Sequence, residues 1–431
     1  MSNPTKEPTN ISKAKAPARP SVLYCPVGKV FSPCELSELD AVVEHLKSDA
    51  AVKDQAIFPR GTHLADGRLD LCKQSIGPLG THAIAAALES NTQTKHWLLG
   101  ANGLGDEGAK SVAKTAQANK QLETIYLGCN LIQSDGATDL ANALIENEHV
   151  TGLWLKRNPI GPEGAAQIAN MLRSNSTLRT LDLVHTQIGE DGLKQICQSL
   201  SFHDAPAPPA PRTNPKTNTS IKRLYLGGNK IDAALTLPIC EMIRSNRSIH
   251  SLYLSVNRLG DDGANLIAQA VAENEYLETI SLSANDIGPD GAWSIVEQLQ
   301  YHPTLRCLDL GDDKSAPVLG EKRNRIGDLG CAAIGELLRS NRTLRVLDLQ
   351  GNGISSAGAQ ILADALESNQ SLTALRLGKG IGRSQKKRIL ELLARNARRL
   401  PAFVETDASD IKAIKSVYRT PVAGVTGVVL D

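Results

Sequence analysis

The chain has 431 residues, more than one ordinary hydrophobic core can hold, so its length indicates two or three domains or an array of repeats. Hydrophobic residues make up 41% of the chain but aromatic residues only 3%, so aliphatic side chains must build the core. A formal net charge of +1 argues against a strong overall field for nucleic acids or membrane surfaces and leaves only a local patch open.

The first 68 residues indicate an unstructured start followed by a cap. Residues 1–20 are polar and rich in proline, which predicts disorder. Residues 21–68 are expected to form an N-terminal cap, because residues 36–48 read as an amphipathic helix and the end units of a stacked array must be covered. No apolar stretch follows the initial charges, which predicts no signal peptide, and no window is apolar enough to span a membrane.

A short motif returns at a nearly constant interval from residue 69 onward. It begins at Leu69, Trp97, Ile125, Leu153, Leu181, Leu224, Leu252, Ile280, Leu308, Leu347 and Leu375. Eight of the ten intervals are 28 residues long, and the other two, of 43 and 39 residues, contain insertions near 204–219 and 312–323. A fixed period of this length is typical of a solenoid.

Each unit reads as a strand followed by a helix. In the fourth unit, Leu153 and Leu155 alternate with period two, which predicts a short strand with both leucines in the stack. The apolar residues that follow have the spacing of one helical face: Ala165, Ile168, Ala169 and Leu172. Neither element can bury its apolar side alone, so we expect eleven units to stack.

Two columns of asparagine accompany the repeat. The first closes the strand motif at positions 102, 130, 158, 229, 257, 285, 324 and 352, where buried amides should form a hydrogen-bonded ladder with the backbone. The second follows the helix at 91, 119, 147, 175, 246, 274, 341 and 369, where we expect a left-handed conformation that ends the helix. His203 and His302 take this second position and are interpreted as helix terminators.

The consensus LxLxxNxIGxxGAxxIAxxLxxNxxL resembles the ribonuclease-inhibitor-like class of leucine-rich repeats. That class includes ribonuclease inhibitor, the Ran GTPase-activating protein and the repeat domains of NOD-like receptors. The resemblance covers residues 69–399 and implies an α/β solenoid shaped like a horseshoe, with a parallel sheet on the concave side and helices outside. The same scaffold serves many unrelated partners, so the resemblance leaves the function open.

The insertions and the C-terminal region lie outside the regular pattern. The first insertion is rich in proline, which predicts an extended loop, and the second should lie on the rim beside the sheet. Residues 383–399 form a basic helix, interpreted either as a solvated cap or as a surface for an anionic partner. The tail, residues 400–431, ends in the apolar segment VAGVTGVVLD, for which an added strand and packing on the cap are both open.

The middle residue of each LxL motif should point to the concave side of the sheet. Down the stack this column reads Asp70, Leu98, Tyr126, Trp154, Asp182, Tyr225, Tyr253, Ser281, Asp309, Asp348 and Arg376. Four of the chain's 14 aromatic residues lie in it, and tyrosine and tryptophan are frequent anchors of protein interfaces. The expected partner-binding residues are Tyr126, Trp154, Lys156, Arg157, Asp182, Arg223, Tyr225, Tyr253, Asp309 and Asp348.

These features indicate a non-enzymatic scaffold that holds a protein partner on its concave face, centred between Trp154 and Tyr253. The chain lacks P-loop, GxSxG and HExxH motifs and any metal-spaced cluster of cysteine and histidine, so we expect no catalytic residue, cofactor, metal or small-molecule substrate. Eight cysteines without a CxxC pair favour a reduced, cytoplasmic compartment. We further expect a monomer that does not engage membranes.

Two other functions stay open. One is a GTPase-activating protein of the Ran-activator type, although the basic C-terminal helix departs from the acidic tail usual in that branch. The other is a nucleic-acid-binding solenoid, in which the aromatic residues would stack on bases beside Lys156, Arg157 and Arg223. The acidic residues nearby weaken this second possibility.

Overall fold

The structure is a computed structural model that describes residues 32–201, 218–406 and 409–418. The segment predicted to be disordered (1–20), nearly all of the proline-rich insertion (204–219) and the apolar end of the tail (422–431) lie outside the described residues. Within them, strands and helices alternate from residue 68 to residue 397.

Short strands form one continuous sheet. Its strands are β1 (Gln55–Ile57), β2 (Thr62–Leu64), β3 (Arg68–Asp70), β4 (His96–Leu98), β5 (Thr124–Tyr126), β6 (Gly152–Trp154), β7 (Thr180–Asp182), β8 (Arg223–Tyr225), β9 (Ser251–Tyr253), β10 (Thr279–Ser281), β11 (Cys307–Asp309), β12 (Val346–Asp348) and β13 (Ala374–Arg376). The first three pair antiparallel. From β3 to β13 each strand pairs in parallel with the next, so eleven parallel strands follow chain order among the described residues.

Helices cover one side of the sheet. They are α1 (Asp40–Ser48), α2 (Gly77–Leu88), α3 (Gly105–Ala118), α4 (Ser134–Leu144), α5 (Gly161–Ser174), α6 (Gly189–Leu200), α7 (Leu237–Ser245), α8 (Gly260–Ala272), α9 (Pro289–Leu299), α10 (Ala316–Leu319), α11 (Gly327–Ser340), α12 (Ser356–Ser368), α13 (Arg383–Ala397) and α14 (Ser409–Ala413). From α1 to α13 each helix packs on the next, except that the short α10 is bypassed. Short 3-10 turns at Leu36–Leu39 and Ala234–Thr236 precede α1 and α7.

The core is a continuous stack of aliphatic side chains between the sheet and the helices. Leu153 of β6 and Ile168 and Leu172 of α5 are fully buried in it. Val42 and Leu46 of α1 extend the same stack beyond the first parallel strand. Each unit buries its apolar side only against its neighbours. The apolar residues must therefore recur at the same positions in every unit. The α/β solenoid predicted from the sequence is confirmed.

The first asparagine column forms the hydrogen-bonded ladder expected of it. Nδ2 of Asn158 donates to the carbonyls of Leu155 in its own unit and Leu127 in the preceding unit, at 2.8 and 2.9 Å. Its Oδ1 accepts from the backbone N–H groups of Asn130 and Ile132, at 2.8 and 3.1 Å. One buried amide therefore makes four bonds, three of which join it to the preceding unit.

The second asparagine column does not have the conformation predicted for it. Asn119 and Asn175 are extended, with φ of −83° and −71°, so the left-handed assignment is wrong. Their side chains end the helix in another way. Nδ2 of Asn175 donates to the carbonyls of Leu144 and Asn147 in the preceding unit. Its Oδ1 accepts from the N–H groups of Thr177 and Leu178 in its own unit. Left-handed residues lie instead around the first column, as at Cys129.

One of the two histidines assigned to that second position is replaced there by another residue. Asn218, near the end of the first insertion, donates to the carbonyls of Leu172 and Asn175 and so fills the position assigned to His203, which lies outside the described residues. His302 does take the position: its Nε2 lies 2.9 Å from the carbonyl of Val271, and its Nδ1 accepts from a backbone N–H.

Candidate functional site: the concave face

The third residue of each parallel strand points away from the helices, to the side of the sheet that we call the concave face. Leu98, Tyr126 and Trp154 form a cluster there with Cys72, separate from the main core. Their orientation is the one that the alternation of the strand predicts. A partner-binding surface would leave these side chains accessible, but Trp154 is only 2% exposed and Tyr126 only 6%.

The chain's own C-terminal segment covers this face. Ile414, which follows α14, belongs to the same cluster as Tyr126 and Trp154 and is itself buried. We call the described residues 401–406 and 409–418 the tail strap. Within these residues no strand pairs with the sheet, and Ile414 packs on the concave cluster. The segment VAGVTGVVLD, for which an added strand and packing on the cap were both open, lies outside the described residues.

The far end of the tail strap is fixed to the first strands of the sheet. The carboxylate of Asp70 accepts from Ser416 Oγ at 3.1 Å and from the N–H of Val417 at 2.6 Å. Arg68 donates to the carbonyl of Lys415, and the hydroxyls of Tyr418 and Thr62 lie 2.6 Å apart. The strap therefore runs from the last unit back to the first.

The near end of the tail strap is fixed to the middle of the sheet. Arg223 of β8 is 1% exposed, pairs with the Glu405 carboxylate at 3.3 Å and donates to the carbonyl of Thr406 at 2.9 Å. The hydroxyl of Tyr253 donates to the other Glu405 oxygen at 2.5 Å. A buried guanidinium is unfavourable unless it is paired and hydrogen-bonded, so Glu405 and Thr406 supply what Arg223 requires.

Two tyrosines provide a flat wall beside Arg223. The rings of Tyr225 and Tyr253, on adjacent strands, stack with centroids 4.2 Å apart and planes 10° apart. Burial raises the pKa of both hydroxyls, and the nearby Glu405 raises them further, so both stay neutral at ordinary pH. A neutral tyrosine remains a donor, which suits a carboxylate such as that of Glu405.

The basic residues of the fourth unit lie beside the aromatic cluster. The ammonium group of Lys156 is 5.5 Å from the centre of the Tyr126 ring, a cation–π distance. Arg157 reaches in the other direction and donates to Ser315 in the second insertion at 3.2 Å. Asp182 of β7 is buried and accepts from the N–H of Val184.

The acidic residues of the last units form a separate group. Asp309 and Asp348 each accept from the N–H two residues ahead, as Asp182 does, so this bond explains their presence without any ligand. Asp348 also pairs with Arg376 at 3.1 Å. Burial and, after it, the charge of Asp348 raise the pKa of Asp309 to about 6, although the hydroxyl of Ser281 donates to it.

The second insertion lies across the rim, beside the acidic group. Its helix α10 packs through Ala316 and Leu319 on Val256 and Ala284. Glu321, which follows α10, pairs with Arg258. A cleft of about 290 Å³ opens between this insertion and the sheet. It is lined by Arg157, Tyr225, Tyr253, Ser281, Asp309 and Asp312, among others.

The basic helix predicted at the C-terminal end is α13, and two of its arginines are engaged with the preceding unit. Arg388 pairs with Asp364 and Glu367, and Arg395 donates to the carbonyls of Leu366 and Asn369. These contacts attach α13 to α12 and favour the interpretation of a cap for these two side chains.

The ten residues expected to bind a partner thus do not converge on one point. Tyr126, Trp154 and Lys156 form one group. Arg157, Tyr225, Tyr253 and Asp309 line the cleft beside the second insertion. Arg223 and Asp182 lie next to its tyrosines, and Asp348 lies next to Asp309. The sequence reasoning missed Glu405 and Ile414. It named Asp70 in the concave column without making it a site residue. An acid and an aliphatic residue in the tail carry no periodic signal.

Comparison with known families agrees with this architecture. The family model described as "Leucine Rich repeat" matches residues 174–197, 245–268, 273–296 and 340–363. Each matched stretch contains one of the parallel strands, β7, β9, β10 and β12. The solenoid is built of leucine-rich repeats. Proteins with such repeats commonly serve as protein-binding scaffolds, and domains of this kind are generally non-enzymatic.

Two curated relatives share a short part of this leucine-rich-repeat chain. The centrosomal protein of 78 kDa from Homo sapiens and its counterpart from Mus musculus are each 39% identical over 75 residues. That stretch is 17% of this chain and only 11% and 10% of the two relatives. The chain therefore matches about a tenth of their length.

Three solved structures that match parts of this chain share little sequence with it. The complex of Rad7 and Elc1 from yeast gives a TM-score of 0.47 at 14% identity, over 82% of this chain and 86% of that one. The actin-binding site 2 of leiomodin-1 gives 0.29 at 23% identity, over 35% and 80%. The C-terminal domain of tropomodulin from Caenorhabditis elegans gives 0.24 at 14% identity, over 55% and 94%.

Among the described residues there is neither a membrane-spanning helix nor a metal-binding cluster. No helix among residues 32–201, 218–406 and 409–418 combines the length and the apolar character needed to cross a membrane. In the same part of the chain, no group of three or more histidine, cysteine, aspartate or glutamate side chains is arranged to hold a metal ion.

Proposed function

We propose that this leucine-rich-repeat chain is a non-enzymatic scaffold that holds a protein partner on its concave face. One observation carries the proposal: the concave groups already hold a length of polypeptide, the tail strap, through side-chain contacts. Arg223 and Tyr253 bind a carboxylate, while Tyr126 and Trp154 pack on an aliphatic side chain. A surface that binds its own chain in this manner has the chemistry needed for another polypeptide.

The finer parts of the proposal rest on the sequence. A 28-residue period with a full helix in nearly every unit supports the ribonuclease-inhibitor-like class, and the scattered cysteines support a cytoplasmic compartment. The nucleic-acid alternative is disfavoured by Arg223, whose guanidinium is buried and paired with Glu405 instead of facing a groove. Binding of phosphates requires accessible cations.

The test is affinity capture with substitutions on the two sides of the solenoid. Trp154→Ala and Tyr253→Ala should each weaken binding of the captured protein by about 2 kcal/mol or more, as loss of an interface anchor does. Lys194→Ala changes an exposed residue of α6 on the helical side and should bind like the wild type. Wild-type binding by both concave variants, with weaker binding by Lys194→Ala, would place the partner on the helices and contradict the proposal.

A further inference from the structure

The tail strap has the contacts of a bound ligand rather than those of a structural element. It is held at an acid-binding subsite (Arg223 and Tyr253), at an apolar subsite (Tyr126 and Trp154) and at Asp70. None of its described residues pairs with the edge or the body of the sheet as a strand. Backbone pairing, which would make it a fixed part of the fold, is absent from this part of the chain.

The two main subsites are built into the solenoid independently of the strap. The acid-binding subsite is made by adjacent strands, β8 and β9, whose tyrosine rings stack. In the apolar subsite the rings lie against glycines: a Cβ at Gly100 would collide with the ring of Tyr126, and one at Gly152 with the ring of Trp154. Rigid walls of this kind are what a binding site for a flexible segment requires.

The strap also covers the face incompletely. Val404 and Val417 lie within it yet are 71% and 50% exposed, whereas the aliphatic residues of the core are almost completely buried. A segment that leaves apolar residues in solvent is poorly suited to being a permanent part of the fold.

We propose that the tail strap is an internal competitor, and that the partner of the concave face is a polypeptide segment of the same chemistry. That segment carries a carboxylate for Arg223 and Tyr253 and, about nine positions later, an aliphatic side chain for Tyr126 and Trp154, as Glu405 and Ile414 do. The proposal rests on the proposed function. A tethered segment has an effective concentration on the order of millimolar, so it lowers the apparent affinity of any competing partner.

The experiment uses the full-length chain and a fluorescent peptide with the sequence of residues 401–418. In the variant Glu405→Ala/Ile414→Ala the strap loses both main contacts while the solenoid keeps its core. This variant should bind the peptide about tenfold or more tighter than the wild type, because the competitor is weakened. A matched control, Val404→Ala/Lys412→Ala, changes one exposed aliphatic and one exposed charged residue of the strap and should bind like the wild type.

Hydrogen exchange shows whether the strap has left the face. The N–H of Val417, bonded to Asp70 in the structure, should be protected in the wild type and in the control and should exchange rapidly in Glu405→Ala/Ile414→Ala. Adding Trp154→Ala to that variant should weaken peptide binding again by about tenfold or more, which assigns the peptide to the concave face.

Three results would overturn the inference. The first is no gain in peptide affinity although exchange shows the strap released. The second is a captured protein partner that binds the released variant and the wild type equally, which refutes competition but keeps the proposed function if Trp154→Ala still weakens it. The third is a wild-type dimer, seen by light scattering, that is lost in Ile414→Ala, since the occupant would then come from a second copy.

Discussion

Two columns of side chains follow the same parallel strands, and they differ in kind. The asparagine column repeats one set of backbone bonds from unit to unit, as at Asn130 and Asn158. The concave column changes from apolar around Trp154 to aromatic at Tyr225 and Tyr253 and then to acidic around Asp309. Stacking dictates the first column, because each amide must join two units. The second is free of that demand and can be specialised for binding.

The largest effect should come from the column that stacking dictates. Asn158→Ala leaves the carbonyls of Leu127 and Leu155 and the N–H groups of Asn130 and Ile132 with a missing partner. Unpaired buried groups are costly, so we expect the free energy of unfolding in urea to fall by about 2–3 kcal/mol.

The matched control for this substitution is Asn142→Ala, which truncates an exposed asparagine of α4 and should change stability by less than about 0.5 kcal/mol. Asn102 makes the same kinds of bond near the N-terminal end, so Asn102→Ala should resemble Asn158→Ala. Small and equal losses for all three variants would show that the ladder does not hold the units together.

In the concave column, a substitution at Asp309 should raise the free energy of unfolding rather than lower it. Its pKa, raised to about 6 by burial and by Asp348, means that the folded protein holds this proton more tightly than the unfolded chain does. The stability gained from protonation is therefore present at pH 4 and lost as the pH rises to about 6. Asp309→Asn should raise the free energy of unfolding at pH 7 by about 1–2 kcal/mol, because the charged form is no longer buried.

Unfolding in urea at several pH values between 4 and 8 measures this effect. The difference between Asp309→Asn and the wild type should grow from pH 4 to pH 6 and then stay constant. Glu148→Gln removes one negative charge at an exposed position and should follow the wild-type profile at every pH. A variant less stable than the wild type at pH 7 would show that the Asp309 charge is needed by its neighbours.

The smallest change in the free energy of unfolding should be found at His302, which takes the place of an asparagine in the second column. Burial lowers the pKa of His302, so the neutral ring is the form that bonds to Val271. Asn274 fills the equivalent position one unit earlier with the same pattern of bonds. At pH 8, His302→Asn should therefore change the free energy of unfolding by less than about 1 kcal/mol.

At acidic pH the free energies of unfolding of the wild type and of His302→Asn should differ. A lowered folded pKa means that the unfolded chain takes up the proton first, so the wild type loses stability as the pH falls below about 6.5. His302→Asn lacks this contribution and should lose less stability between pH 6.5 and pH 5. Other buried histidines such as His63 add the same slope to both proteins, so parallel profiles would show that His302 does not become protonated.

The position of the strands could be read from the sequence, and the state of the concave face could not. Trp154 and Tyr253 were placed on the correct side of the sheet because side chains alternate along a strand. Nothing local to them indicates that residues more than 150 positions later would cover them. Asn218 was missed because the first insertion breaks the 28-residue period. Counting 28 residues from Asn175 gives His203, whereas the residue that makes the equivalent bonds comes later in the chain.

The sequence by itself determined the repeated unit, the parallel order of the strands and the buried asparagine ladder, because each depends on spacings of a few residues and on contacts with the adjacent unit. The tertiary structure alone decided what lies on the concave face. Asp70 and Ser416 are 346 positions apart, and Arg223 and Thr406 are 183 apart. Such contacts depend on the path of a whole segment across the solenoid, and a few side chains without periodicity leave no pattern that would reveal it.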